Sequence, residues 1–484
     1  MTRFAISRTR CSTLLVASAI ALISAGATAQ TPPPPQTSAA EPQTPSPAQA
    51  PGQATAPNDI PPGAARQFPA PSPTAAAPAS VMVGPTRELK LAENTWFRFG
   101  AQVQAWFKVA QDRIQQADGS DGNYANDFYC RRCRLFVTGS VVKDVTFNLL
   151  FEAANFGKAD VNTGAKVYST PSLLDAYAQV KFANAFSLSA GNILLPLTRN
   201  GTQPTTTYVS IDNANVDVTP ILQGNSTVIR DVGVQASGFF LDDRLEYRVG
   251  LFQGSRAAAV SVTAGTPPVT KVTQTAGHNF PRFVSYLQYN FWDTEKGYVN
   301  GGHYYGTKKV LGVQANFDYQ GLGNGDPPKP GTDKDPYIGA SAAAFINYPL
   351  SGAGDAKKGG DEIVVTAQFG YYDGGGSSGP NLPTYAAVLR QTNYLLEGGY
   401  YNRDLKMSFF GKFETRKIQP NLYSADVKAR NNNNWYAVGM KYYFAPANLA
   451  NIAVQYERVQ FPDAPSTQQG GTNNVTVQMQ TLLY

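Results

Sequence analysis

Residues 131–134 read Arg-Arg-Cys-Arg, three guanidinium groups within four positions. A guanidinium presents a planar fork of N–H donors that matches the oxygens of phosphate and carboxylate groups. Three of them so close together could hold or pass an anion. On an extended segment successive side chains point to opposite faces. Arg132 and Arg134 then share one face, while Arg131 falls out of phase and is expected at a rim. The same stretch carries Cys130 and Cys133 as a C-x-x-C. Three positions apart on a strand, two cysteines face opposite sides, and no helix start follows. A zinc half-site and a redox turn are both disfavoured, and two ordinary strand cysteines are expected.

Little else in the chain could do chemistry. The only histidines are His278 and His303, and neither offers a serine partner on a strand face, as a hydrolase would need. No G-x-S-x-G, no metal-ligand cluster and no phosphate-cradling glycine loop occurs; Gly374 to Gly379 reads as a flexible loop. No enzyme, metal or cofactor is expected.

The elements that must position the arginines follow a period of two. In 97–109, Phe97, Phe99, Ala101, Val103, Ala105, Phe107 and Val109 take one face. Arg98, Gly100, Gln102, Gln104, Trp106 and Lys108 take the other. Such alternation marks a strand with one apolar and one wet face, and its length exceeds the ~9–11 residues that cross a bilayer when tilted. Sixteen such runs appear: 97–109, 128–142, 145–153, 173–182, 186–195, 231–240, 244–253 and 282–291, then 309–320, 336–348, 361–372, 391–401, 405–415, 433–444, 448–459 and 473–484. The connections alternate long and short; two of the turns, 292–308 and 349–360, are longer, and the first is read as a structured turn. The pattern predicts an all-β fold, a 16-stranded antiparallel transmembrane β-barrel with short periplasmic turns and long extracellular loops, wide enough for a water-filled lumen.

Composition agrees. Arg3, Arg8 and Arg10, an apolar run from Leu14 to Ile23 and Ala27-Thr28-Ala29 have the build of a secretory leader over 1–29, too short for a spanning helix. Without its three arginines, 37 basic side chains stand against 34 acidic, which argues against nucleic acid as a partner. Residues 30–86, rich in Pro, Ala, Gln, Ser and Thr, cannot bury enough apolar surface to offset ordering entropy and read as a disordered periplasmic tether. The barrel domain is expected over 95–484. Its location is then the outer membrane of a Gram-negative bacterium.

Within the lumen phase, Arg98, Lys108, Arg132, Arg134, Lys181, Arg248 and Lys412 are candidates to line an anion path, and Arg199 and Arg230 flank the longest loop, 196–230. Rings of such groups make a pore anion-preferring. Glu152, Asp175, Glu246, Glu397 and Glu414 share the wet faces and oppose it. Loop 196–230 exceeds the ~12–15 residues usual for a connection and is expected to fold into the lumen as a constriction, carrying Asp212 and Asp217. At the C-terminus, Gln478 and Gln480 fall in phase with Tyr484, where outward apolar residues are expected.

Arg131-Arg132-Cys133-Arg134-Leu135 with Gly139, Lys143 and Asp144 resembles the second strand and first turn of the phosphate-selective porin O and P family. Gly191 to Gly201 and Arg230 to Gly254 are similar to its third-loop approach and next hairpin. The resemblance spans roughly 95–484 and implies a sixteen-stranded barrel, usually a homotrimer in outer-membrane lipid, that passes small anionic solutes such as phosphate or polyphosphate. It supports Arg132, Arg134, Arg199 and Arg230 as candidates. A non-selective general diffusion porin and a structural or adhesive barrel are the alternatives.

Overall fold

A computed structural model describes residues 88–484 except 114–118, 120, 161–163, 219–228, 255–260, 265–268, 273–280, 322–335, 351–358, 375–387, 446–448, 467 and 484. The expected leader and tether, 1–86, lie outside the described residues.

Sixteen strands close a ring. They are β1 (Thr95–Gln111), β2 (Tyr124–Val142), β3 (Val145–Phe156), β4 (Ser172–Ala183), β5 (Phe186–Leu194), β6 (Arg230–Phe240), β7 (Leu245–Phe252) and β8 (Arg282–Asn290), then β9 (Val310–Gln320), β10 (Tyr337–Pro349), β11 (Glu362–Asp373), β12 (Gln391–Asn402), β13 (Met407–Ile418), β14 (Asn433–Tyr443), β15 (Ala450–Gln460) and β16 (Gly471–Leu483). Each pairs antiparallel with its sequence neighbours, and β1 closes on β16 from Ala101↔Leu483 to Ala110↔Asn474. Closure leaves no strand edge, which matters in hydrocarbon, where an unpaired backbone group costs several kcal/mol. A seventeenth strand, Glu88–Ala92, pairs with the start of β1 beyond the point where β16 ends. No helix among the described residues is long and apolar enough to cross a membrane.

The two faces differ as the alternation requires. On β9, Val313, Phe317 and Tyr319 are exposed outside while Gln314, Asn316 and Asp318 are buried inside. The last strand keeps this phase. Gln478 and Gln480 point inward, where they accept hydrogen bonds from Trp106 Nε1 at 2.8 Å and Gln104 Nε2 at 2.5 Å. Met479 and Leu483 face outward. The expected clash of phase at the C-terminus is therefore corrected: the outward set is that of Leu483.

Connections are long at one end and short at the other, with two exceptions at the short end, 291–309 and 350–361. The turn after β8, residues 291–309, holds no strand and runs back into the lumen. From the opposite end the loop after β5 descends to meet it. Asn300 N donates to Thr202 O at 3.1 Å and His303 N to Thr207 O at 3.0 Å. Apolar side chains hold the loop in place: Val209 and Ile211 cluster with Trp106, Val364, Phe410 and Ala453 from across the ring. Gly399 on β12 makes room, since a Cβ there would sit 2.6 Å from Val209 Cγ1. Ala214 and Val216 pack with Leu395, Trp435 and Val459. The loop thus lies against the β11–β15 wall and leaves space along β2, β3 and β4.

Candidate functional site

The wall facing that space is built by an irregularity in β2. Against β1, Gln104 pairs with Arg132 but Ala105 pairs with Cys130, so Arg131 is an extra residue, a β-bulge. Against β3 the pairs Cys130↔Phe156 and Arg132↔Ala154 leave Arg131 across from Asn155, whose φ of +53° lies in the left-handed region that Asn tolerates.

Directly paired residues share a face. Tyr129, Arg132 and Arg134 pair with Trp106, Gln104 and Gln102 on the lumen side, while Cys130 and Cys133 pair with Ala105 and Val103 on the outer side. Two sequence expectations are corrected here. The cysteines lie on one face and form a disulfide, with Cα atoms 6.2 Å apart. Arg131 does not sit at a rim: its Nε lies 3.0 Å from Asp212 Oδ2. Both follow from one inserted residue, which shifts the alternation by one.

Between this wall and the loop lies a cavity of about 530 Å³, lined among others by Arg131, Arg132, Arg134, Arg230, Glu152 and Asp175. Arg132 donates from Nη2 to Asp212 Oδ1 at 2.5 Å and from Nη1 to Gln104 Oε1 at 2.8 Å. Arg134 donates from Nε to Glu152 Oε1 at 2.8 Å and from Nη1 to Thr205 Oγ1 at 2.9 Å. Arg230 Nε donates to Asp175 Oδ1 at 3.0 Å. Burial raises the Asp212 carboxyl, but Arg131 and Arg132 more than offset it and hold the group well below the usual carboxylate range. The loop is therefore pinned to the arginine wall by a carboxylate that stays ionised. Tyr208, buried over Arg132, is pushed up to about 12 and stays a neutral phenol.

The remaining sequence candidates lie elsewhere. Arg199 is buried at the meeting of loop and turn, with Nη1 and Nη2 donating to Glu295 at 2.8 and 2.7 Å. Arg248 pairs with Glu246 and donates to the carbonyls of Tyr298 and Gly297, both at 2.9 Å, anchoring the inserted turn. Lys412 pairs with Glu414 at 2.9 Å on the far wall. Arg98 pairs with Glu88 at 2.9 Å at the short-turn end. Lys181 is exposed near the turn before β5, and Lys108 is part-exposed toward the far end of β1. Of the nine, the structure brings Arg132, Arg134 and Arg230 to one cavity.

Sequence reasoning missed Arg131, the Asp212 clamp and the inward turn. Arg131 had a signal: the outward apolar positions are even at Phe128 and odd at Leu135 and Val137, a slip that demands one extra residue between them. Among the described residues no group of three or more His, Cys, Asp or Glu could hold a metal.

Comparison with known proteins fits this construction. Residues 103–224 match the family model described as phosphate-selective porin O and P. That span holds the bulged strand and most of the long loop, a narrower stretch than the resemblance read from the sequence. No protein of curated description matches the chain. Among solved structures, the chain is similar to a Salmonella typhi OmpF complex with daunomycin at 12% identity, with 82% of this chain and 100% of that chain covered and a TM-score of 0.51. An anion-selective porin from Comamonas acidovorans matches at 9% identity over 80% of this chain and 100% of its own, with a TM-score of 0.47. At such identity the first likeness shows the fold, a sixteen-stranded closed antiparallel barrel. The chain is thus similar to outer-membrane β-barrels of the porin type, in fold around the ring and in sequence over 103–224.

Proposed function

We propose that this barrel is a passive porin for small anions, with the passage along β2, β3 and β4 as its selective stretch. One observation carries the reading. Arg131, Arg132, Arg134 and Arg230 meet there with Glu152, Asp175 and Asp212, four cations against three carboxylates. The phosphate-selective description of the matched family supports the sign.

The magnitude of the preference follows from that single excess. One unit charge about 10 Å from a permeating ion is worth about 0.4 kcal/mol in a water-like dielectric. An anion is then enriched about twofold and a cation depleted about as much. Salt near 0.1 M, with a Debye length of about 10 Å, weakens both. The expected behaviour is a several-fold anion preference in dilute salt that fades as salt rises. A phosphate dianion carries twice the charge, gains twice the energy in the same field and is favoured over chloride on charge alone.

Reversal potentials in planar bilayers under potassium chloride and potassium phosphate gradients test this. Anion preference that shrinks with salt agrees; cation preference rejects the reading. Arg132→Ala and Arg134→Ala together turn the excess of one cation into an excess of one carboxylate and should shift the preference from anions toward cations, and an unchanged ratio would take them out of the path.

A second reading, a general diffusion porin, is favoured by one observation: Arg131, Arg132, Arg134 and Arg230 each pair with a carboxylate. It calls for a permeability ratio near unity in every salt. We further take the assembly to be a homotrimer in outer-membrane lipid, as the family resemblance implies. Cross-linking in detergent should give a trimer band, and a ladder ending at monomer argues against it.

A further inference from the structure

We propose that the Cys130–Cys133 disulfide is a positioning device for selectivity: it clamps the bulge that turns Arg131 into the passage beside Arg132. The inference rests on the anion-path reading of those arginines.

The geometry couples the two. In a regular strand, three steps of about 3.3 Å set residues i and i+3 about 10 Å apart, on opposite faces. A disulfide needs Cα atoms within about 4.4–6.8 Å. Cys130 and Cys133 are 6.2 Å apart and share the outer face with Ala105 and Val103. The cross-link therefore fits the contracted, phase-shifted strand and excludes the straight one. Within the contracted segment lie Arg131 and Arg132, whose side chains leave on the opposite face and both reach Asp212, at 3.0 and 2.5 Å. Backbone pairing holds this stretch only in part, because Arg131 has no partner in the register with β1 and faces the left-handed Asn155 in β3. A bulge with an idle residue can iron out by a one-residue slip, and such a slip reverses the faces of everything beyond it. With the cross-link in place, Tyr129 stays inside, Phe128 stays outside, and the two arginines stay on one carboxylate. The disulfide faces away from the lumen, so it sets the positions of the charged groups without touching a permeating ion. An oxidising space outside the cytoplasm keeps such a bond formed.

The test uses the full-length barrel purified from membranes in detergent. Intact mass after iodoacetamide should show no adduct at Cys130 or Cys133 in the untreated protein and two after dithiothreitol. Adducts at both positions without reductant overturn the proposal. Cys130→Ser with Cys133→Ser, refolded and checked by heat-modifiable gel mobility, should lose about half or more of the anion-to-cation permeability ratio, as expected when the excess charge leaves its place, with single-channel conductance largely kept. An unchanged ratio overturns the proposal. Should the double variant not refold, the wild-type barrel reduced after folding provides the same reading, and an unchanged ratio there also overturns it. Arg131→Ala separates the two layers. If it leaves the ratio unchanged, the arginine passage itself is wrong; if it lowers the ratio while the cysteine variant does not, only the clamp is.

Discussion

At the scale of single residues, the passage is governed by how its charges are shared. Asp212 serves two arginines at once, at 3.0 and 2.5 Å. Asp212→Asn removes one of three carboxylates and doubles the cationic excess. The attraction of an anion doubles with it, so its enrichment in dilute salt should rise from about twofold to about fourfold. Reversal potentials at low salt measure this, and a ratio that falls would mean that the loop, not the field, sets selectivity. Arg199 behaves differently. It is buried with Glu295 away from the arginine-lined cavity. Arg199→Ala leaves Glu295 as an uncompensated buried charge and should cost about 3–5 kcal/mol of stability, read as a lower temperature of the heat-modifiable gel shift, while ion preference stays close to wild type. A large change in preference with no loss of stability would put Arg199 in the path.

These roles were only partly legible in the chain. Arg132 and Arg134 were, because their phase relative to Leu135 and Val137 is simple alternation. Arg131 and the cysteines were misread for one reason: periodicity assumes that every residue advances the strand by one step, and a bulge breaks that assumption locally. Arg248 and Lys412 share the lumen phase with the passage residues, yet the inserted turn binds Arg248 and the long loop binds Glu414, the partner of Lys412, while Arg199 belongs to the loop itself and is buried against the turn. Phase reports which face a side chain takes, and cannot report what later packs upon that face.

At the scale of elements, the long loop is the part that can respond to conditions. Its short helix α1 (Asn215–Val218) presses Asp217 against β11, where Gln368 Nε2 donates to Asp217 Oδ1 at 2.5 Å. Burial pushes the Asp217 carboxyl up to about 7, with Glu414 adding to the rise and Gln368 and Thr198 opposing it. An unfolded aspartate titrates near 3.9. Between about pH 4 and pH 7 the docked loop binds more proton than the undocked chain, so docking weakens as pH rises through this window and levels off above it. The barrel should therefore show quieter single-channel current and a higher unfolding temperature at pH 5 than at pH 8. Asp217→Asn, whose amide resembles the protonated acid, should flatten both trends, and a variant that keeps the full pH dependence places its origin elsewhere.

At the scale of the whole molecule, the ring was legible because water and lipid ask opposite things of alternate residues in all sixteen strands. What fills the ring was not, since a polar connection of 17 residues can lie outside as readily as inside. The turn after β8 enters the lumen from one end as the long loop does from the other. Glu295, Asn300 and His303 tie it to Arg199, Thr202 and Thr207, and His303 Nδ1 lies 3.1 Å from Glu362 Oε2 at the start of β11. Sixteen strands by themselves enclose an aqueous channel, so the two inserts, not the ring, must set the bore. Replacing 292–308 by a two-residue turn, with Arg199→Gln to avoid a buried unpaired cation, should raise single-channel conductance. The anion preference should persist, because Arg131, Arg132, Arg134 and their acids stay on β2, β3, β4 and the long loop. Conductance that stays at the wild-type level would mean that the long loop alone limits flow. Loss of preference together with higher conductance would mean that the turn holds the loop against the arginines, and that selectivity depends on contact between elements entering from opposite ends of the barrel.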